Sequence, residues 1–151
     1  MPKDLRTLML LKNGRQKEEL YALADLEQNL LGIIWLGSES IPQKDFIFPL
    51  ETTDYPTTLA MRIYGEARGK GLAKPFLKPT LTNFLHQSDN QTGGIWIETS
   101  ATNVPVIRSF GDLGFQQASQ ADERGKILMV GSKQKIERHL VSSLPLAAGL
   151  N

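Results

Sequence analysis

The stretch Arg68-Gly69-Lys70-Gly71-Leu72-Ala73 carries the clearest chemistry in this chain. It follows an apolar run, Leu59-Ala60-Met61-Arg62-Ile63-Tyr64, and opens an amphipathic segment. That order reads as strand, tight glycine turn, helix start. The first N–H groups of a helix lack intrahelical partners, and the helix dipole favours negative charge there. Glycines just before it let a phosphate approach the backbone. The stretch therefore predicts a phosphorylated cofactor. It is not a P-loop, because Lys70 is followed by Gly71-Leu72 and no Ser or Thr hydroxyl is placed for magnesium. A plain strand-to-helix turn is the other reading of the same glycines.

The elements that would position this turn follow from apolar periodicity. Residues 4–12 include Leu5, Leu8, Met9 and Leu11, a spacing that predicts a short helix closed at Asn13-Gly14. Residues 20–26 and the continuous run 30–36 predict two strands joined at Glu27-Gln28-Asn29, an antiparallel hairpin. A long connection over 37–57, interrupted by Phe46-Ile47-Phe48, reads either as a functional loop or as an edge segment packing its aromatics. Residues 57–64 form the next strand. The helix after the turn presents Leu72, Ala73, Phe76, Leu77, Leu81, Phe84 and Leu85 as one stripe. Pro75 suits its first turn, whereas Pro79 should kink or interrupt it. Then come a strand over 95–99, a helix over 105–113 closed by Gly114, and an antiparallel pair over 115–118 and 125–130. Residues 132–151 read as a surface tail or a short helix. The sum is a single domain over 1–151 of α+β (mixed α/β) class, helices flanking a mostly antiparallel sheet.

Composition narrows the chemistry. The 151 residues suit one domain with a core, and 17 Lys plus Arg against 16 Asp plus Glu leave a net charge of +1. That balance gives no argument for a nucleic-acid or membrane partner. With no cysteine and two histidines, His86 and His139, thiol nucleophiles and Cys-based zinc sites are excluded, and no metal is expected. No apolar run is long enough to span a bilayer and the N-terminus lacks a signal-peptide pattern, so a cytoplasmic protein is the expectation.

Two motifs in order now carry a resemblance. Arg68, Gly71 and Ala73, with Glu66 two positions before the arginine, are similar to the pyrophosphate loop of the GNAT superfamily of acetyl-CoA-dependent N-acetyltransferases. Asn103, Val106, Phe110, Gly114 and Phe115 resemble its second signature. The match covers residues 55–130 and extends back toward residue 20. It implies a GNAT-like fold in which the strand ending at Ile63-Tyr64 splays from the strand over 95–98, opened by a bulge. It also implies acetyl-CoA as co-substrate, with its pantetheine arm in that wedge. The N–H near Ile63 or Tyr64 would polarise the thioester. The pyrophosphate would rest on the N–H groups of Gly69, Lys70, Gly71, Leu72 and Ala73, with Lys70 and Lys74 adding charge. Asn103 would contact the cofactor arm, or simply cap the helix after it.

Catalysis by this resemblance is direct attack of an acceptor amine, without a covalent enzyme intermediate. Some group must take the proton of the acceptor ammonium, and Glu98, at the end of its strand beside the wedge, is the candidate base. The family commonly has Tyr where Phe110 stands. Phenylalanine cannot donate a proton, so Tyr64 is the candidate replacement acid and Phe110 a residue under the cofactor. Glu98 as a salt-bridged strand end and Tyr64 as a packed aromatic are the structural alternatives. A non-catalytic acyl-CoA-binding or regulatory module is the other functional reading, and a structural α/β domain a third. The family opens with a strand and two helices before the hairpin, whereas residues 1–18 suffice for one short helix. The first strand and first helix are thus expected to be missing, and the exposed sheet edge would favour a homodimer.

Overall fold

The computed structural model describes residues 18–87 and 93–142 in full and residues 5–13 by their backbone. Among the described residues seven strands form one sheet in the order β1-β2-β3-β4-β5-β7-β6. They are β1 (Leu5–Asn13), β2 (Glu18–Asp25), β3 (Leu30–Ser38), β4 (Thr57–Ile63), β5 (Ile95–Ser100), β6 (Gln116–Gln117) and β7 (Lys126–Gly131). All neighbours are antiparallel except β4 and β5. The helices are α1 (Ala73–Leu85), α2 (Val104–Gly111) and α3 (Lys133–Ser142).

The predicted N-terminal helix is a strand. Residues Leu5 to Asn13 pair antiparallel with β2, and the register shifts between Met9 and Leu11. Leu10 is therefore a bulged residue, with no partner across the ladder. Inserting one residue breaks the two-residue alternation of a strand, so Leu5, Leu8, Met9 and Leu11 fall at spacings that imitate a helix. The opening strand expected to be missing is thus present. Four residues separate the end of β1 at Asn13 from the start of β2 at Glu18.

α1 runs unbroken through Pro79. Its Phe76, Leu77, Leu81, Phe84 and Leu85 are buried against Ile34, Leu36, Leu59, Ile95 and Ile97 of the sheet. Burying each such side chain is worth about 1.5–3 kcal/mol. Together they outweigh the roughly 3 kcal/mol that an interior proline costs a helix. A polar cluster around the buried Glu19 and Tyr21 also ties the C-terminal end of α1 to β2. The Tyr21 hydroxyl donates to the Glu19 carboxylate, Asn83 donates to the Tyr21 oxygen at 2.8 Å, and Gln87 to Glu19 at 2.9 Å.

α2 begins at Asn103, whose side-chain oxygen accepts from the Val106 N–H at 3.4 Å. After α2 the chain turns at Gly114, where φ is +97°, and the Phe115 N–H donates to the Phe110 carbonyl at 3.1 Å. That left-handed glycine cap is the one the sequence predicts. Of the segment read as a tail or a short helix, Lys133–Ser142 is a helix, with Ile136 and Leu140 sunk into the core, and residues 143–151 lie outside the described residues.

The connection over 37–57 covers the sheet face opposite α1. Its Ile41, Phe46, Phe48, Leu50 and Tyr55 pack with Trp96, Leu128 and Val130. Phe46 bridges Ser119, the Ile47 N–H donates to the Ala118 carbonyl at 2.9 Å, and the Gln120 N–H donates to Asp45 at 2.8 Å.

Candidate active site

β4 and β5 pair in parallel only through Thr57 with Ile95 and Thr58 with Trp96. At the last pair the Thr58 hydroxyl donates to the Trp96 carbonyl at 3.0 Å. Beyond it the two strands part. The wedge expected from the sequence is there, but no bulge in β4 opens it: the β3–β4 register runs unshifted from Gly32–Ile63 to Ser38–Thr57. The split is instead the place where the single parallel pairing of the sheet stops.

The direction of the backbone groups follows from the ladder. The Tyr64 N–H donates to the Leu31 carbonyl at 2.8 Å. Along an antiparallel pair, residues alternate between pointing both backbone groups at the partner and pointing both away. Arg62 and Ala60 therefore face β3, and Ile63 and Met61 turn their N–H and C=O toward the wedge. The Ile63 carbonyl is taken by the Arg68 Nε at 2.9 Å. The N–H groups of Met61 and Ile63 remain directed into the opening, and that of Tyr64 is engaged elsewhere.

A 3-10 turn over Gly65–Ala67 leads from β4 into the glycine loop. Gly69 and Gly71 have φ of +74° and +70°, and a Cβ on either would meet nothing within 4 Å. Positive φ is what glycine permits cheaply, and the open space above both leaves the backbone bare. Leu72 begins α1 with no side-chain cap, and the first intrahelical bond is Phe76 N–H to Leu72 at 3.0 Å. The N–H groups of Ala73 and Lys74 therefore point out of the helix end, and Pro75 has none to offer.

These features enclose one cleft of about 650 Å3. Ile63, Arg68, Gly69, Gly71, Leu72, Ala73 and Asn103, all singled out by sequence, line it together. Lys74 lines it too, with its ammonium 2.8 Å from Asp112 at the end of α2. That ammonium holds the Asp112 carboxyl below its ordinary range. Tyr64 and Lys70 lie elsewhere, in a cavity of about 750 Å3 behind the loop. The Arg62 guanidinium, which lines the cleft, lies 5.7 Å from the Tyr64 ring centre.

Glu98 and Phe110 line a third cavity, of about 350 Å3, which shares Met61, Asn103 and Val106 with the cleft. Phe110 is a core residue, 2% exposed and edge-on to Phe115 at 5.1 Å. Glu98 is ion-paired: Lys44 Nζ lies 2.9 Å and Arg124 3.6 Å from its carboxylate. Lys44, with its side chain 9% exposed, also holds Asp122 at 2.6 Å. This ammonium, with the Lys126 N–H, keeps the Asp122 carboxyl far below the usual carboxylate range, and the two carboxylates push Lys44 up. Lys44, Asp122 and Arg124 escaped sequence reading. The one signal was the length of the 37–57 loop that carries Lys44.

No family model matches the chain, and no curated protein matches it. Solved structures do. An uncharacterised protein from Bacillus halodurans superposes with a TM-score of 0.63 at 20% identity, over 83% of this chain and 64% of that one. Spermidine N-acetyltransferase from Vibrio cholerae, in complex with CoA and spermine, gives 0.59 at 16% identity over 80% and 68%. A point mutant of that enzyme, SpeG, gives 0.63 at 14% identity over 90% and 98%. The chain spans just under two thirds of the Bacillus protein. The fold is that of GNAT acetyltransferases, and the named neighbours are spermidine N-acetyltransferases.

Proposed function

We propose that this chain is an acetyl-CoA-dependent N-acetyltransferase. The observation that carries the reading is the meeting of three parts. An uncapped helix end behind two left-handed glycines lines one cleft, that cleft runs into a wedge with free backbone donors, and the wedge opens on a second cavity. The loop from Gly69 to Ala73 suits a pyrophosphate, with Arg68 pinned to Ile63 so that the loop keeps its shape. The open edge of β4 suits an extended, amide-bearing arm that adds to the sheet as a strand would. Asn103 contributes to the floor while its oxygen caps α2.

Met61 and Ile63 N–H groups stand where a thioester oxygen gains negative charge, the position of greatest leverage for a fixed donor. The acceptor nitrogen attacks the thioester carbon, the C–N bond forms, the C–S bond breaks, and sulfur leaves with the electron pair. Glu98 takes up the acceptor's proton, directly or through a water, from its place on β5. Phe110 has no proton to give, and Tyr64 faces the cavity behind the loop, so we assign no acid. A thiol of pKa about 8.5 is a leaving group that departs without one. We also propose that the β1 edge pairs with a second copy, which light scattering on the eluting protein would show as twice the monomer mass.

Calorimetric titration with acetyl-CoA tests the reading on wild type, Gly71→Asp and Gly71→Asn. Both side chains tolerate the left-handed conformation and have open room, but only the aspartate brings charge. Binding to wild type and the asparagine variant, lost in the aspartate variant, supports the phosphate site. Absence of binding in wild type overturns it. CoA release in the presence of an amine then separates an enzyme from a binding module.

A further inference from the structure

We infer that the acceptor is a small monoamine on an apolar body, and that a polyamine is a poor substrate. The inference rests on the acetyltransferase reading and specifies its second cavity. That cavity, of about 350 Å3, is of a size for a small molecule. It lies between β4 and β5, beyond the Thr58–Trp96 pair, and shares Met61 with the cleft. An amine seated there has its nitrogen beside the donors of the wedge.

The walls combine apolar residues with Glu39, Thr58, Glu98, Thr99 and Asn103, and Trp35 shapes the apolar part. A Cβ at Gly37 would lie 2.4 Å and 2.7 Å from Cζ2 and Cη2 of the Trp35 ring. The indole therefore lies down along β3 over a residue that must lack a side chain. One side of the ring rests on Gly37, and Trp35 stays half-buried at the cavity wall. A ring in that position is a platform for an apolar or aromatic group.

Charge decides against a polycation. The carboxylates lining the cavity are Glu39 and Glu98, and Asp122 stands behind Glu98. Glu98 and Asp122 both already have Lys44 and Arg124 as partners, at 2.6–3.6 Å. Three carboxylates against two cations leave one negative charge, and Glu39 is the lining acid with no cationic partner among the described residues. A single ammonium is matched by it. A second or third ammonium would leave water without a counter-charge, at a cost that apolar walls do not offset.

The test measures CoA release with a thiol reagent at saturating acetyl-CoA, with phenethylamine, hexylamine and spermidine as acceptors. We expect kcat/KM for phenethylamine at least tenfold above spermidine. Trp35→Ala should raise KM for phenethylamine about tenfold, as expected for losing one apolar contact surface, and narrow its advantage over spermidine. Lys44→Met, which releases Glu98 and Asp122, should shift the preference toward spermidine, with circular dichroism reporting that the fold is kept. Spermidine equal to or better than phenethylamine in wild type overturns the inference and leaves the acetyltransferase reading standing. Acetyl-CoA binding with no turnover of any of the three amines also overturns the inference, and leaves the cofactor site standing without the activity. Failure to bind acetyl-CoA overturns both.

Discussion

Glu98 is held by Lys44 and Arg124 before any substrate arrives, so its carboxylate is oriented. A general base contributes about 10²–10⁴-fold. Glu98→Gln is therefore expected to lower kcat by at least a hundredfold with little change in acetyl-CoA affinity, as read by steady-state kinetics beside calorimetry. A loss in affinity equal to the loss in rate would reassign Glu98 to binding. Lys44 has a pH signature as well. Asp122, whose pKa is depressed, contributes stability at neutral pH that disappears as pH falls through its folded value. Lys44, whose pKa is raised, contributes stability that disappears as pH rises through its own. The stability gap between wild type and Asp122→Asn, followed by urea unfolding, should be widest near neutrality, begin to narrow below pH ~3.9 and close only as the pH passes the depressed folded value. A gap that persists in acid would mean that the ion pair is not its source.

At the level of elements, the tie between α1 and β2 is a polar cluster in an apolar setting. Glu19 is 2% exposed, and it accepts from both Tyr21 and Gln87. Removing Glu19 leaves the buried Tyr21 hydroxyl proton without this acceptor, which costs about 1–3 kcal/mol. Glu19→Leu should lower stability by that amount in denaturant unfolding, and the double substitution with Tyr21→Phe should recover part of it. If the two effects simply add, the pair is not coupled. The glycine loop was legible because it needs positive φ, an uncapped helix and small residues in consecutive positions, all local. The β1 strand was not, because a single bulged Leu10 gives an extended segment the spacing of a helix. The unbroken α1 was misjudged for a related reason: Pro79 is a local signal, and the burial that overrides it is not local. Lys44 lies 78 residues from Asp122, beyond the reach of any spacing argument.

On the scale of the whole molecule, two sub-sheets meet at a seam. β1 to β4 form one, β5 with β7 and β6 the other, and two residue pairs join them. Phe76→Ala in α1, which packs beneath both, removes a side chain with no exposed surface and should cost about 3–5 kcal/mol. Because the helix spans the seam, that variant should also weaken acetyl-CoA binding beyond what its stability predicts. Unchanged affinity in the folded variant would mean that the seam holds without it.

The seam has a second restraint on its far side. The 37–57 connection leaves β3 in one sub-sheet, anchors on Ala118, Ser119 and Asp122 of the other, and returns to β4 in the first. The chain thus crosses the same gap out and back, like a lace through facing eyelets. A lace has a fixed length, so it limits how far the two halves can gape while leaving them free to close. The aperture of the wedge has an upper stop built into the covalent chain, and insertions into 37–57 would lengthen the lace before they touched any residue of the site.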